Sequence, residues 1–336
     1  MKNCPEMDRR SFLALAGGGA AGLALPAGVS ALAEPADATP ATFRIQTARY
    51  RLREAVTENL VSVFSDAPPP VLRMRQGEPF AIDVTNTLDE ATTVHWHGLR
   101  VPNKMDGVPY LTQFPIQKGE TLRYAYTPED AGVYWYHPHC RTMEQIARGL
   151  TGIIVVAEKE DPGFDGETVL NLRDFRIGKD DQFLQLYSAR AAARAGTFGT
   201  VMTANWEQNP VYEHPAGSLV RLRLGATDTT RFYPLTFEGG EGRIIGADGH
   251  PLREAVPWPT PEEPILVAPG QRLDVALRMP DKKGDEIVVT YRSLKRTRKL
   301  ATLRATGSSL GRSLDELKPL PPNNVPDFDP KGLDVV

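Results

Sequence analysis

From about residue 43 onward, apolar residues recur at every second position in short runs. Phe80, Ile82 and Val84 alternate with mostly polar residues, as do Leu122, Tyr124 and Tyr126. Val133, Trp135, His137 and His139 also fall on one alternating set. A period of two is the period of a β-strand, whose successive side chains point to opposite faces. The uninterrupted apolar run at 152–156 predicts a strand buried on both faces. Alternation returns at Val220, Leu222 and Leu224, where arginines take the intervening positions, and again at Leu273, Val275 and Leu277 and at Ile287, Val289 and Tyr291. Gly77-Glu78-Pro79, Lys118-Gly119 and Asp130-Ala131-Gly132 punctuate the runs as turns. Only the alanine-rich stretch 189–195 suggests a short helix or a loop. Many short strands separated by turn signals predict an all-β chain folded as a sandwich or barrel.

A length of 336 residues suggests about two domains. Asp161-Pro162-Gly163 marks the boundary, giving a first domain over 34–160 and a second over 161–310. Beyond Leu310 the alternation fades. The stretch 311–336, with Pro321-Pro322-Asn323-Asn324-Val325-Pro326, reads as an extended linker. At the other end, Asp8-Arg9-Arg10-Ser11-Phe12-Leu13 opens an apolar run that closes on Ala31-Leu32-Ala33. That pattern predicts a twin-arginine export signal over 1–33, with the mature protein in the periplasm or secreted. Gly17-Gly18-Gly19 and Pro26 make this run a poor membrane-spanning helix, and no later run reaches the ~18 apolar residues a span needs. A net charge of −3 provides no basic field for nucleic acid. Removing the signal takes away Cys4 and leaves Cys140, so the mature chain holds no internal disulfide.

The candidate chemistry sits in two motifs. Four of the six histidines lie in His95-Trp96-His97 and His137-Pro138-His139. In a strand, residues i and i+2 share a face, so each pair aims two imidazoles the same way. If the two strands are neighbours, all four rings converge. Neutral imidazole suits copper, zinc, iron or nickel. Pro138 cannot donate a ladder hydrogen bond, which predicts an edge or bulge there. Gly98 leaves room for a close backbone approach.

These motifs, with Met105-Asp106-Gly107-Val108-Pro109 and Gly149-Leu150-Thr151-Gly152, resemble the first cupredoxin domain of the multicopper oxidases. Gly217-Ser218-Leu219-Val220-Arg221-Leu222, Ala247-Asp248-Gly249 and Ala268-Pro269-Gly270-Gln271-Arg272-Leu273-Asp274 are similar to the second. The resemblance covers nearly all the mature chain and is closest to laccase-like and copper-efflux-type enzymes. It implies two tandem Greek-key cupredoxin sandwiches. It implies that His95 binds a type 2 copper and that His97, His137 and His139 bind a type 3 pair, where dioxygen is reduced to water with electrons from phenols or metal ions. It places Asp106 where some members hold a proton-delivering acid; as a bare sequence feature, Asp-Gly is also a turn signal.

The chain departs from the family by lacking the third-domain histidine and His-Cys-His motifs. Half the trinuclear ligands and the whole type 1 site are therefore expected elsewhere. Cys140 is on the wrong alternation to join His137 and His139 and reads as a thiol beside the cluster. His214 and His250 read as surface or packing residues in loops. The expectation is a truncated or incomplete oxidase, or one whose third domain is supplied separately, with little turnover alone. The alternative is a non-catalytic exported copper-binding or scaffold protein.

Overall fold

Trp96 shows how the pattern becomes structure. It lies between His95 and His97 on a three-residue strand and is completely buried, while the flanking histidines are only partly buried. That strand, β5 (His95–His97), is the edge of a four-stranded sheet ordered β3 (Leu72–Arg75), β8 (Gly152–Ala157), β7 (Gly132–His137), β5. Facing it is a second sheet ordered β2 (Thr57–Ser62), β1 (Ala41–Tyr50), β4 (Phe80–Asn86), β6 (Thr121–Tyr126). The computed structural model describes residues 41–194 and 196–325. The export signal expected at 1–33 and the end of the expected linker, 326–336, lie outside the described residues.

The two sheets close on an apolar core that includes Phe43, Ile45, Ile82, Val84, Trp96, Tyr124, Tyr136 and Ile154. Trp96 meets Tyr124 edge-on, with ring centroids 5.2 Å apart, a favoured aromatic geometry. The apolar run expected at 152–156 is β8, buried nearly throughout because strands flank it and both faces are covered.

A second sandwich follows. One sheet runs β10 (Val201–Ala204), β9 (Gly166–Phe175), β12 (Leu219–Ala226), β17 (Arg272–Arg278), β14 (Glu241–Ala247), β15 (His250–Pro257). The other runs β11 (Val211–Pro215), β19 (Thr297–Thr306), β18 (Glu286–Arg292), β13 (Tyr233–Glu238), β16 (Ile265–Val267). Its core gathers Leu222, Leu224, Tyr233, Phe237, Val275 and Val289. The fold is thus all-β, two tandem sandwiches of the cupredoxin type. Short helices interrupt it at α1 (Thr142–Ala147) and α2 (Ala189–Ala192), the latter within the alanine-rich stretch and capped by Ser188.

One face of β12 departs from the alternation. Val220, Leu222 and Leu224 are buried, and so are Arg221 and Arg223. The arginines face the junction between the sandwiches rather than solvent. Arg221 donates to Glu158 at 2.9 and 2.7 Å and to Asp274 at 2.8 and 2.6 Å. Arg223 donates to Glu167 at 2.6 Å. Buried guanidinium groups need such forked partners, because an unpaired charge in that environment is very costly. A smaller cluster of Ala48, Leu52, Leu60, Phe175 and Trp206 joins strands of both sandwiches. The linker also packs back: Asn323 accepts from the Ala131 N–H at 3.0 Å and donates to Gly249 O at 3.0 Å, clasping the junction. Among the described residues, no helix is long and apolar enough to cross a membrane.

Candidate metal centre

Strands β5 and β7 pair antiparallel with His95 opposite His137 and His97 opposite Trp135. That register puts His95, His97, His137 and Trp135 on one face of the sheet. His139 reaches the same place differently. Strand β7 ends at His137, so alternation does not govern His139. Pro138 sits at neither an edge nor a bulge, since β7 is flanked by β8 and β5; the missing N–H ends the strand instead. A tight turn through Arg141, which takes a left-handed conformation (φ 44°), then leads into α1.

The four rings converge. Ring centroids of His95 lie 4.7 Å from His139, 5.1 Å from His137 and 5.7 Å from His97. One nitrogen from each of His95, His137 and His139 falls within 4.8 Å of the others. His97 Nδ1 faces His137 Nε2 at 3.3 Å. Two donors bound at about 2.0–2.1 Å to one ion in tetrahedral geometry are about 3.3 Å apart, so this spacing suits two ligands of a shared ion.

Hydrogen bonds set the tautomers. His95 Nδ1 lies 2.7 Å from the Asp106 carbonyl, which can only accept, so Nδ1 carries the proton and Nε2 is a free donor to metal. His137 Nδ1 does the same toward Pro138 O at 3.1 Å. Backbone carbonyls holding the far nitrogen are the usual support of metal-ligating imidazoles. Burial, and then the Arg272 charge, pushes His97 down to about 4. Burial pushes His137 down to about 3. Burial, followed by the His95 ring, also lowers His139. Neutral rings are what a metal requires. A site of imidazoles alone, with a carboxylate only behind it, fits copper by the chemistry of its donors.

Asp106 contributes mainly through its backbone. Its carboxylate is 3.4 Å from the same His95 nitrogen and partly exposed. Gly107 shows how closely this turn passes under β5: at φ +81°, an added Cβ would lie 2.0 Å from Val94 O.

Three further residues contribute, and the sequence alternation had put only Trp135 on the histidine face. Trp135 stacks on His97 and His137, with centroids 4.7 and 4.3 Å away, walling one flank; its place two residues before His137 was the available signal. Gly270, in the turn before β17, lies against His97 and Trp135. Arg272 follows, donating to Val133 O at 3.2 Å and Gly270 O at 2.8 Å. What approaches Gly98 is this guanidinium rather than backbone: an added Cβ would lie 2.6 Å from Arg272 Nη2. Nothing local in the sequence marks a residue of the second sandwich as a neighbour of the histidines.

The remaining candidates are one cysteine and two histidines. Cys140 is buried and in no disulfide. His214 lies in β11, not a loop, buried and 2.7 Å from Thr168 Oγ1. His250 opens β15 and accepts from Asn323 at 3.1 Å.

A family model described as multicopper oxidase matches residues 44–161. Copper resistance protein A of Escherichia coli is 24% identical over 312 residues, covering 79% of this chain and 50% of that one. The chain thus spans about half the length of this curated relative. The multi-copper oxidase structure from Pseudomonas thermotolerans shares 38% identity and a TM-score of 0.78, covering 87% of this chain and 70% of that one. The corresponding structure from Pseudomonas parafulva shares 35% identity at the same TM-score of 0.78, with 86% and 70% covered. With this fold, these paired histidines and these likenesses, the chain belongs to the multicopper oxidase family.

Proposed function

We propose that this chain is the dioxygen-reducing side of a laccase-like oxidase, with His95 as ligand to a type 2 copper and His97, His137 and His139 as ligands to a type 3 pair. The reductant of the assembled enzyme is a phenol or a metal ion. The observation that carries this reading is the convergence of the imidazoles on one place, with the far nitrogens of His95 and His137 tied to backbone carbonyls. When bound, copper supplies the one-electron steps that pass electrons from a reductant to dioxygen. Burial keeps His97, His137 and His139 neutral, carbonyl partners align His95 and His137, and Trp135 keeps water off one flank. The Asp106 carboxylate, beside His95 and reachable from solvent, passes protons inward.

Electron entry lies elsewhere. A blue-copper site needs a thiolate with two imidazoles. Cys140 is the one cysteine beyond the export signal, and His214 and His250 stand far from it in sequence and engage other partners. A further cupredoxin module, on this or another polypeptide, completes the cluster and brings the reductant site. The twin-arginine signal puts this work in the periplasm or outside the cell.

The test is metal analysis of the purified chain together with a phenol-oxidation assay. Copper retained after dialysis, lost in His137→Gln, with turnover near background and no intense blue absorption, supports the proposal. A chain that takes up no copper is a scaffold and sinks the metal reading. Strong turnover or a blue band sinks the assignment of electron entry elsewhere. The four converging donors without a thiolate site also favour a second reading, a copper-binding protein without catalysis. Copper uptake with no turnover even when the missing module is supplied selects it.

A further inference from the structure

The β5–β7 ladder ends with His95 opposite His137. Continued by two residues, the same register would set Thr93 opposite His139. No backbone pairing forms there. The Val94 N–H donates to Tyr124 Oη at 3.1 Å, and the Thr92 N–H donates to Ile116 O at 3.1 Å. The His139 N–H instead donates to the side chain of Thr93, to Oγ1 at 3.1 Å. Thr93 is completely buried. Around this bond the same two segments are joined again. Thr92 Oγ1 donates to Gln145 Oε1 at 2.7 Å, Gln145 Nε2 donates to Glu90 Oε1 at 2.9 Å, and Arg141 pairs with Glu90 at 2.6 Å.

We propose that Thr93 is a positioning residue for His139: its hydroxyl takes the place of the ladder bond lost beyond Pro138 and sets where the fourth imidazole points. His95 and His137 have strand pairing and carbonyl partners to fix them. His139 has neither, and among the described residues its ring has no hydrogen bond to hold it. Its direction therefore depends on where its backbone is pinned. Thr93 lies two residues before His95, so one side chain couples the two His-x-His motifs. This deepens the copper reading and rests on it.

The experiment uses residues 34–336, wild type and variants, and measures copper retention by competition with a chelator, together with the electron paramagnetic resonance spectrum. Thr93→Val keeps the shape and removes the acceptor. It is expected to weaken copper retention by about 10- to 100-fold, the range seen when the support of a metal ligand is lost, and to alter the spectrum. Thr93→Ser keeps the hydroxyl and restores both. Thr92→Val breaks the neighbouring link to Gln145 and leaves copper retention as in wild type. If Thr93→Val binds like wild type, or Thr93→Ser fails to restore binding, or Thr92→Val weakens it equally, the proposal falls. If wild type itself takes up no copper, the copper reading fails instead. Should Thr93→Val not fold, amide exchange of metal-free wild type decides: a slowly exchanging His139 N–H supports the bond, and exchange at the rate of an open amide overturns it.

Discussion

His137 carries a pH signature that does not depend on metal. Burial holds its folded pKa near 3, far below the ordinary histidine value of 6.5. The unfolded chain therefore takes up a proton that the folded chain refuses, and stability falls as pH drops below about 6.5. Each pH unit between there and the folded value removes about 1.4 kcal/mol. For the metal-free protein, denaturant unfolding at pH 7 and pH 5 should show a loss on the order of 2 kcal/mol that His137→Gln lacks. An unchanged pH slope in that variant would show that the ring is more open to water than its burial suggests. Asp106 separates differently. Its bond to His95 runs through a backbone carbonyl, so Asp106→Asn should leave copper content intact. In an assembled oxidase the same change should slow dioxygen reduction by roughly 10²-fold or more, the usual weight of a positioned proton donor.

At the scale of elements, the centre depends on how β5 is seated. Three residues make a weak strand, and most of its anchorage is Trp96 in the aromatic core beneath. Trp96→Ala should cost about 3–5 kcal/mol, read by thermal or denaturant melting, and should release both adjacent histidines. The turn under β5 is as demanding. Gly107→Ala adds left-handed strain of about 1–2 kcal/mol to a direct collision with Val94 O, so it should lower the melting temperature and copper retention together. A Gly107→Ala protein with wild-type copper retention would mean the turn can move without disturbing His95. Only part of this was legible beforehand. Alternation identified β4, β6 and β7 and the shared face of His137 and Trp135. It put His139 on that same face as well, but the route is different: the strand ends at His137, and the turn beyond Pro138 carries the ring there.

At the scale of the whole molecule, the junction between sandwiches is held by buried charge. Arg221 bridges Glu158 from the first sandwich and Asp274 from the second. Removing Glu158 empties half of the Arg221 fork in a buried site, while Asp274 still holds the other half. Glu158→Ala should therefore destabilise by about 1–3 kcal/mol, measured by unfolding, whereas replacing the whole set with apolar residues of similar volume should be milder. Because Gly270 and Arg272 reach His97 across the same junction, weakening it should also broaden the copper signal. In the sequence, arginines simply take the positions between the apolar residues of β12. They are buried because a second sandwich covers them, which no local pattern reports.

Period-two alternation and turn residues were enough to specify an all-β chain, since strand faces follow from backbone geometry alone. The two His-x-His motifs were enough to specify candidate metal donors, since imidazole chemistry travels with the residue. Tertiary structure decided which nitrogens face the metal, which carbonyls hold them and which distant residues close the site. Those depend on contacts between segments far apart in the chain, and hydrogen bonds and buried charges of that kind leave no periodic trace in a sequence.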